Sequence, residues 1–275
     1  MTDVQRFTVG QCEVIKIPEI DVPFPAATLW PHSPLPADTP EQITLSVHSW
    51  VVRTPQHTLV IDTANGNGRE RPHAPMFHQL NTDWLRHLQD AGVDPHRVDW
   101  VLMTHLHGDH IGWNTHWVNG QWQPLFPRAR YVCPEKGLAR WQRDPTRQAM
   151  MADSLTPLID AGLLETMHPE QQPVFADLLR VVPTPGHTPD HTAIILHSAG
   201  EYALFTGDLM HNALQVSQPQ LASCFCEDAE QAEAQRRWAL NWAADHQALW
   251  CSAHFAGSSA GRVTRAGDGF TWQYC

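Results

Sequence analysis

The chain predicts a layered α/β protein with two packed sheets and helices outside. Three observations carry this: short apolar runs bounded by turn residues occur in both halves, amphipathic helical stretches separate them, and no composition break divides the 275 residues. One domain over 1–275 follows, with a proline-rich arm at about 18–40.

Cys12 to Ile17 reads as the first strand, and seven prolines between Pro18 and Pro40 argue against regular structure there. That arm is expected to cross the active face, to meet a second copy or to lie as an ordered surface loop. Ser46–Val52 and Thr58–Asp62 read as paired strands turned near Pro55. Trp84, Leu85, Leu88 and Ala91 recur at helical spacing, with Gly92 as the stop. Val101-Leu102-Met103, preceded by Val98 and Trp100, reads as a buried strand. Further strands are expected at Arg130–Val132, Leu179–Val182, Thr192–His197, Tyr202–Thr206 and, last, Ala248–Ser252. Helices are expected from Pro134 to about Arg143, more loosely on to Leu164, and from Asp228 to His246, where Asp228 and Gln231 are spaced as a capping box.

Residues 104–112, Thr-His-Leu-His-Gly-Asp-His-Ile-Gly, place His105, His107, Asp109 and His110 at the C-terminal end of a strand. So dense a group of imidazoles and carboxylate points to metal ligation. The alternation of side chains lets His105 and His107 converge on one ion while Asp109 and His110 turn to a neighbour. His187 after Thr-Pro-Gly, Asp208 after Thr-Gly, and His254 after Leu249–Ala253 also follow strands and complete a donor set. A carboxylate spans two ions where an imidazole cannot, so Asp208 is the candidate bridge. Asp62, Thr104, Thr206 and His191 are candidates to orient imidazole N–H groups. Trp113, Trp117, Phe126, Met210, Phe225 and Phe255 are candidates for an apolar cleft wall.

Composition narrows the alternatives. A net charge of −11 with only Lys16 and Lys136 as lysines argues against a nucleic-acid partner and against Schiff-base chemistry. No glycine-rich nucleotide loop is present. No apolar run suits a membrane span, and the N-terminus carries no signal-peptide pattern. Six cysteines without a C-x-x-C pair fit a reducing cytoplasm.

The pattern H-x-H-x-D-H followed by His, Asp and His resembles the metallo-β-lactamase superfamily. That resemblance implies a four-layer αββα sandwich of two mixed sheets with helices outside. It also implies one ion on His105, His107 and His187, another on Asp109, His110 and His254, and Asp208 between them. The segments Thr184–His191, Thr206–His211 and Ser252–Gly257 are similar to the branch holding methyl parathion hydrolase and the N-acyl-homoserine lactone lactonases. His211 stands where the best-known lactonases carry tyrosine, which brings the chain nearer the parathion hydrolase pattern.

The resulting expectation is a hydrolase holding two divalent ions, zinc first and Mn, Fe or Co also compatible, in which a bridging hydroxide attacks a lactone or carboxylic ester, with phosphotriesters as a further substrate. Asp109 is expected to orient the nucleophile and His211 to donate a proton or hydrogen bond. The expected partner is a small ester or lactone with an apolar portion, and the arm and many tryptophans leave room for a homodimer. The alternatives on the same fold are a thiolesterase of the glyoxalase II kind, a β-lactamase, or a non-haem iron dioxygenase. A metal-binding protein without a cleft is the non-enzymatic alternative.

Overall fold

A computed structural model describes residues 4–275. Two compact units emerge: one runs to Ile20 and resumes over Val47–His168, and the other comprises Asp21–Ser46 and Pro169–Cys275.

The first seven-stranded sheet runs Gln5–Val9, Cys12–Pro25, Gln42–Arg53, Thr58–Ile61, Trp100–Leu102, Arg130–Pro134, Leu164–Met167. It begins antiparallel and turns parallel from Thr58–Ile61 onward. Parallel strands are buried on both faces, which is why Val60, Val101 and Tyr131 are fully enclosed. Ile61 is in register with Leu102, so both strands end at one edge and release Asp62 and the histidine loop there.

The strand from Cys12 does not stop at Ile17 but continues to Pro25, and a short helix, Ala26–Leu29, follows. The expectation of an irregular arm from Pro18 is therefore corrected. Pairing with Gln5–Val9 ends at Lys16, so beyond it the strand is an edge on that side. A proline whose nitrogen faces that open side gives up no ladder hydrogen bond, and its fixed φ suits extended backbone. In the second unit, Phe24, Leu29 and Trp30 pack with Ile43, Leu45 and Leu221 in a small apolar cluster.

The second sheet runs in chain order: Val174–Phe175, Leu179–Pro183, Thr192–Ser198, Glu201–Phe205, Leu249–Cys251, Ala260–Ala266, Gly269–Tyr274. Its single parallel pair, Glu201–Phe205 with Leu249–Cys251, is joined by a crossover through the helix Ala229–Asp245. Asp228 caps that helix by accepting the Gln231 N–H at 2.9 Å, worth about 1 kcal/mol. The helix buries Ala232, Ala239, Leu240 and Ala243, and strand residues Leu204 and Trp250 join the same core. Leu249–Cys251 is not the last strand, because the hairpin Ala260–Ala266/Gly269–Tyr274 follows it.

Candidate metal centre

In the first unit the donor loop leaves the sheet under close backbone control. Met103 N donates to Val132 O at 2.9 Å, Thr63 N to His110 O at 2.7 Å, and Gly112 N to Ala64 O at 2.7 Å. Gly112 is needed for approach: a Cβ there would stand 1.8 Å from Asn65 O. One helical turn, Gly108–Ile111, carries Asp109 and His110.

Hydrogen bonding fixes the tautomers in sequence. Thr104 N and its hydroxyl donate to the two oxygens of Asp62, at 2.8 and 2.7 Å. With its proton so committed, Thr104 Oγ1 accepts from His105 Nδ1 at 3.0 Å. His105 Nε2 is then a lone pair, and it lies 3.1 Å from His107 Nδ1. His110 Nδ1 donates to Asp62 Oδ2 at 2.8 Å, which leaves Nε2 as a lone pair 3.8 Å from Asp109 Oδ2. Asp62 does this from a left-handed backbone, φ +52°, a strained conformation of the kind that concentrates at functional sites.

In the second unit, Thr184-Pro185-Gly186 turns the chain so that His187 faces Asp208. Gly186 has φ +136°, and a Cβ on it would lie 2.3 Å from the Ala232 backbone nitrogen, so only glycine fits against the crossover helix. His191 Nε2 accepts the Asp208 N–H at 2.9 Å. Its Nδ1 must therefore hold the proton and donate to Thr184 O at 3.1 Å. Around the Asp208 carboxylate stand His187 Nε2, 3.2 Å from Oδ2, His254 Nε2, 3.1 Å from Oδ1, and His211 Nε2, 3.5 Å from Oδ2. His254 Nδ1 donates to Ser46 O at 3.0 Å. Donor atoms of Asp208, His211 and His254 all lie within 4.8 Å of one another.

These residues fit divalent ions. His254 and His110 each spend the Nδ1 proton on a fixed acceptor, so Nε2 turns a lone pair toward a carboxylate oxygen. Two acceptors facing each other are both satisfied by a cation between them. Two ligand atoms each about 2.0–2.2 Å from a tetrahedral ion stand roughly 3.3 Å apart, close to the 3.2 and 3.1 Å of His187 Nε2 and His254 Nε2 from the Asp208 oxygens.

Not every expected residue serves the site. The Thr206 hydroxyl faces Gly207 O and Cys251 O, bracing the parallel strand pair instead of an imidazole. Trp113 stacks on Trp84 at 5.0 Å in the core, and Phe126, Met210 and Phe255 are likewise enclosed. Trp117 is 59% exposed and pairs with Trp122. Phe225, 42% exposed, does meet the site: its ring tilts against His211 at 5.6 Å and against Phe24 at 5.7 Å. His211 is buried and stacks on His254 at 5.3 Å. Sequence reasoning missed Gln215, whose Oε1 accepts the His211 N–H at 2.7 Å, and the carbonyl of Ser46, which carries no side-chain signature at all.

The profile of the metallo-β-lactamase superfamily matches residues 43–254. The chain belongs to the metallo-β-lactamase superfamily. Its fold is the metallo-β-lactamase fold, with two large mixed sheets and flanking helices. Among solved structures, AidC, a dizinc quorum-quenching lactonase in complex with a product, N-hexanoyl-L-homoserine, is similar at TM-score 0.81 and 20% identity, covering 100% of this chain and 98% of that one. The hydrolase AbOPH of the β-lactamase superfamily is similar at TM-score 0.82 and 19% identity, over 100% and 98%. An atrochrysone carboxyl ACP thioesterase of Aspergillus fumigatus is 26% identical over 193 residues, 70% of this chain and 47% of its own length. The chain thus spans about half the length, or less, of the curated relatives it matches. The His and Asp cluster suits a divalent metal site. Among the described residues no helix is long and apolar enough to cross a membrane.

Proposed function

We propose that this metallo-β-lactamase family member is a binuclear metal-dependent hydrolase that opens a lactone or cleaves a carboxylic ester bearing an apolar portion. The observation that carries the reading is the address of the two Asp208 oxygens, Oδ1 toward His254 and Oδ2 toward His187. A carboxylate so divided between two imidazoles supports a bridging role, because its two oxygens could each serve one ion.

In this reading His105, His107 and His187 would hold one ion, Asp109, His110 and His254 the other, and Asp208 would serve both. Mixed nitrogen and oxygen donors favour zinc and also accept Mn, Fe or Co. When bound, such ions lower the pKa of water toward about 7 and polarise the scissile carbonyl. Asp109 accepts a proton and orients the attacking water. His211 stands beside Asp208 with its backbone fixed by Gln215, and it donates to the departing alkoxide. Phe225 and Phe24 give an apolar platform next to His211, suited to an acyl chain.

Acyl transfer from a thioester is the second reading, favoured by the thioesterase relatives. The residues would act alike, with a thiolate leaving in place of an alkoxide. The test is a hydrolysis panel on metal-reconstituted protein: acyl-homoserine lactones of graded chain length, p-nitrophenyl esters, acyl thioesters, a paraoxon-like triester and a cephalosporin. Highest kcat/KM on long-chain lactones or esters supports the first reading, and preference for the thioester replaces it with the second. No turnover of any oxygen or sulfur ester overturns both.

A further inference from the structure

His187 meets a thiol, whereas His105 leans on the Thr104 hydroxyl, His110 on a carboxylate and His254 on a main-chain carbonyl. Its Nδ1 faces the sulfur of Cys226 at 4.0 Å, while its Nε2 faces Asp208. The segment carrying Cys226 is laced to the His187 turn by backbone: Glu227 N donates to His187 O at 3.1 Å and Asp228 N to Gly186 O at 2.9 Å. Cys226 N donates in turn to Ser223 O at 3.0 Å. The thiol is therefore held against one ring nitrogen by the same strut that begins the crossover helix.

Behind the thiol lies a second unusual group. Arg236, on the buried face of that helix, has no measurable exposure. Its Nε donates to Pro219 O at 2.7 Å. Its two terminal nitrogens are enclosed, and against the burial that lowers its pKa the Cys226 side chain favours the charged form. A buried guanidinium costs free energy unless it meets electron-rich atoms, and a polarisable sulfur is such a partner.

We propose that Cys226, steadied by Arg236, is a positioning residue for His187: its sulfur accepts from Nδ1 and so commits Nε2 to the Asp208 side. Sulfur is a weaker and larger acceptor than oxygen. It fixes the ring's tautomer while leaving the imidazole less electron-rich than a carboxylate partner would. The two halves of the donor set are then unequal, with His110 backed by a carboxylate and His187 by a thiol. The inference rests on reading His187 as a metal ligand.

The test compares wild type, Cys226→Ala, Cys226→Ser and, as a neighbour that the site does not use, Cys224→Ala. Each is stripped and titrated with zinc against a chromogenic chelator, and with cobalt while the visible spectrum is recorded. Urea unfolding of the metal-free proteins runs alongside. The expected result is a 10–100-fold weaker zinc affinity for one ion in Cys226→Ala, a shifted cobalt spectrum, and an unchanged metal-free unfolding midpoint. Cys226→Ser recovers most of the affinity because its hydroxyl also accepts, and Cys224→Ala matches wild type. Affinity and cobalt spectrum of Cys226→Ala within twofold of wild type overturn the proposal. If Cys226→Ala does not fold, Cys226→Val, which fills the space without an acceptor, takes its place: affinity and spectrum within twofold of wild type overturn the proposal, and a loss confined to one ion supports it. Should Asp208→Ala also bind zinc as wild type does, the ligand reading itself fails, a result distinct from failure of the cysteine alone.

Discussion

The carboxylate of Asp62 holds His110 by Nδ1 at 2.8 Å and reaches His105 through the Thr104 hydroxyl. One acid thus sets two imidazoles. Asp62→Asn keeps the shape but offers an N–H₂ where an acceptor is required, so one of the two rings loses its orientation. Zinc affinity should fall 10–100-fold. The check is metal content after dialysis against graded chelator, and full retention would contradict the role of Asp62.

Asp208→Ala removes the group that faces His187, His254 and His211 together. Both ions should be weakened, and turnover should drop by at least about 10³-fold, as expected when metal-held chemistry is dismantled. Elemental analysis that still found two ions per chain would count against bridging.

His211→Ala should leave metal content unchanged, because the stack on His254 is not a ligand bond in the proposed assignment. A proton donor contributes about 10²–10⁴-fold, so kcat should fall within that range while KM moves little. Loss of one limb of the pH–kcat profile is the diagnostic measurement.

Gly186→Ala sets a Cβ 2.3 Å from the Ala232 backbone at φ +136°. Overpacking against a helix together with a forbidden torsion should cost about 3 kcal/mol or more, read as a lowered urea midpoint in metal-free protein. A midpoint equal to wild type would mean that the turn and the helix are not in rigid contact.

Glu19 is buried, and burial raises its carboxyl above the ordinary value of 4.5 although Asn65 N, Trp113 Nε1 and Gly66 N all donate to it. With the folded pKa above the unfolded one, the folded state binds the extra proton between them. The stability this group contributes is present below the unfolded pKa and is lost as pH rises through the folded value. Relative to Glu19→Gln, the wild-type protein should therefore lose unfolding free energy on going from about pH 4 upward, and a flat difference would refute the assignment.

Legibility in the sequence followed physical cause. The donors at His105, His107, Asp109 and His110 could be read because four metal-binding side chains crowd one loop, and the strand Trp100–Leu102 before them because it is an apolar run. The hairpin Ala260–Ala266/Gly269–Tyr274 was missed although Gly267-Asp268 is a two-residue turn between alternating residues; its strands are largely exposed and polar, which masks the period. The extension to Pro25 was missed because proline was read as a breaker where an edge tolerates it. The partners of His254 and His187, a main-chain carbonyl and a thiol, have no spacing that announces them. Aromatic side chains near the ligands were over-assigned to the cleft, since four of the six are held in the core.

Leu29 O receives the Cys224 N–H at 2.8 Å, and Phe24 meets Phe225 edge-on, so the stretch after Asp21 upholsters the loop that flanks His211. The imidazoles are rooted in strand ends, whereas this padding is a short helix and an edge. In the proposed function, lengthening, trimming or reshuffling residues 24–30 would retailor which acyl tails are accepted while the donor-bearing strand ends stay as they are, so substrate range would drift most readily along that one stretch of chain.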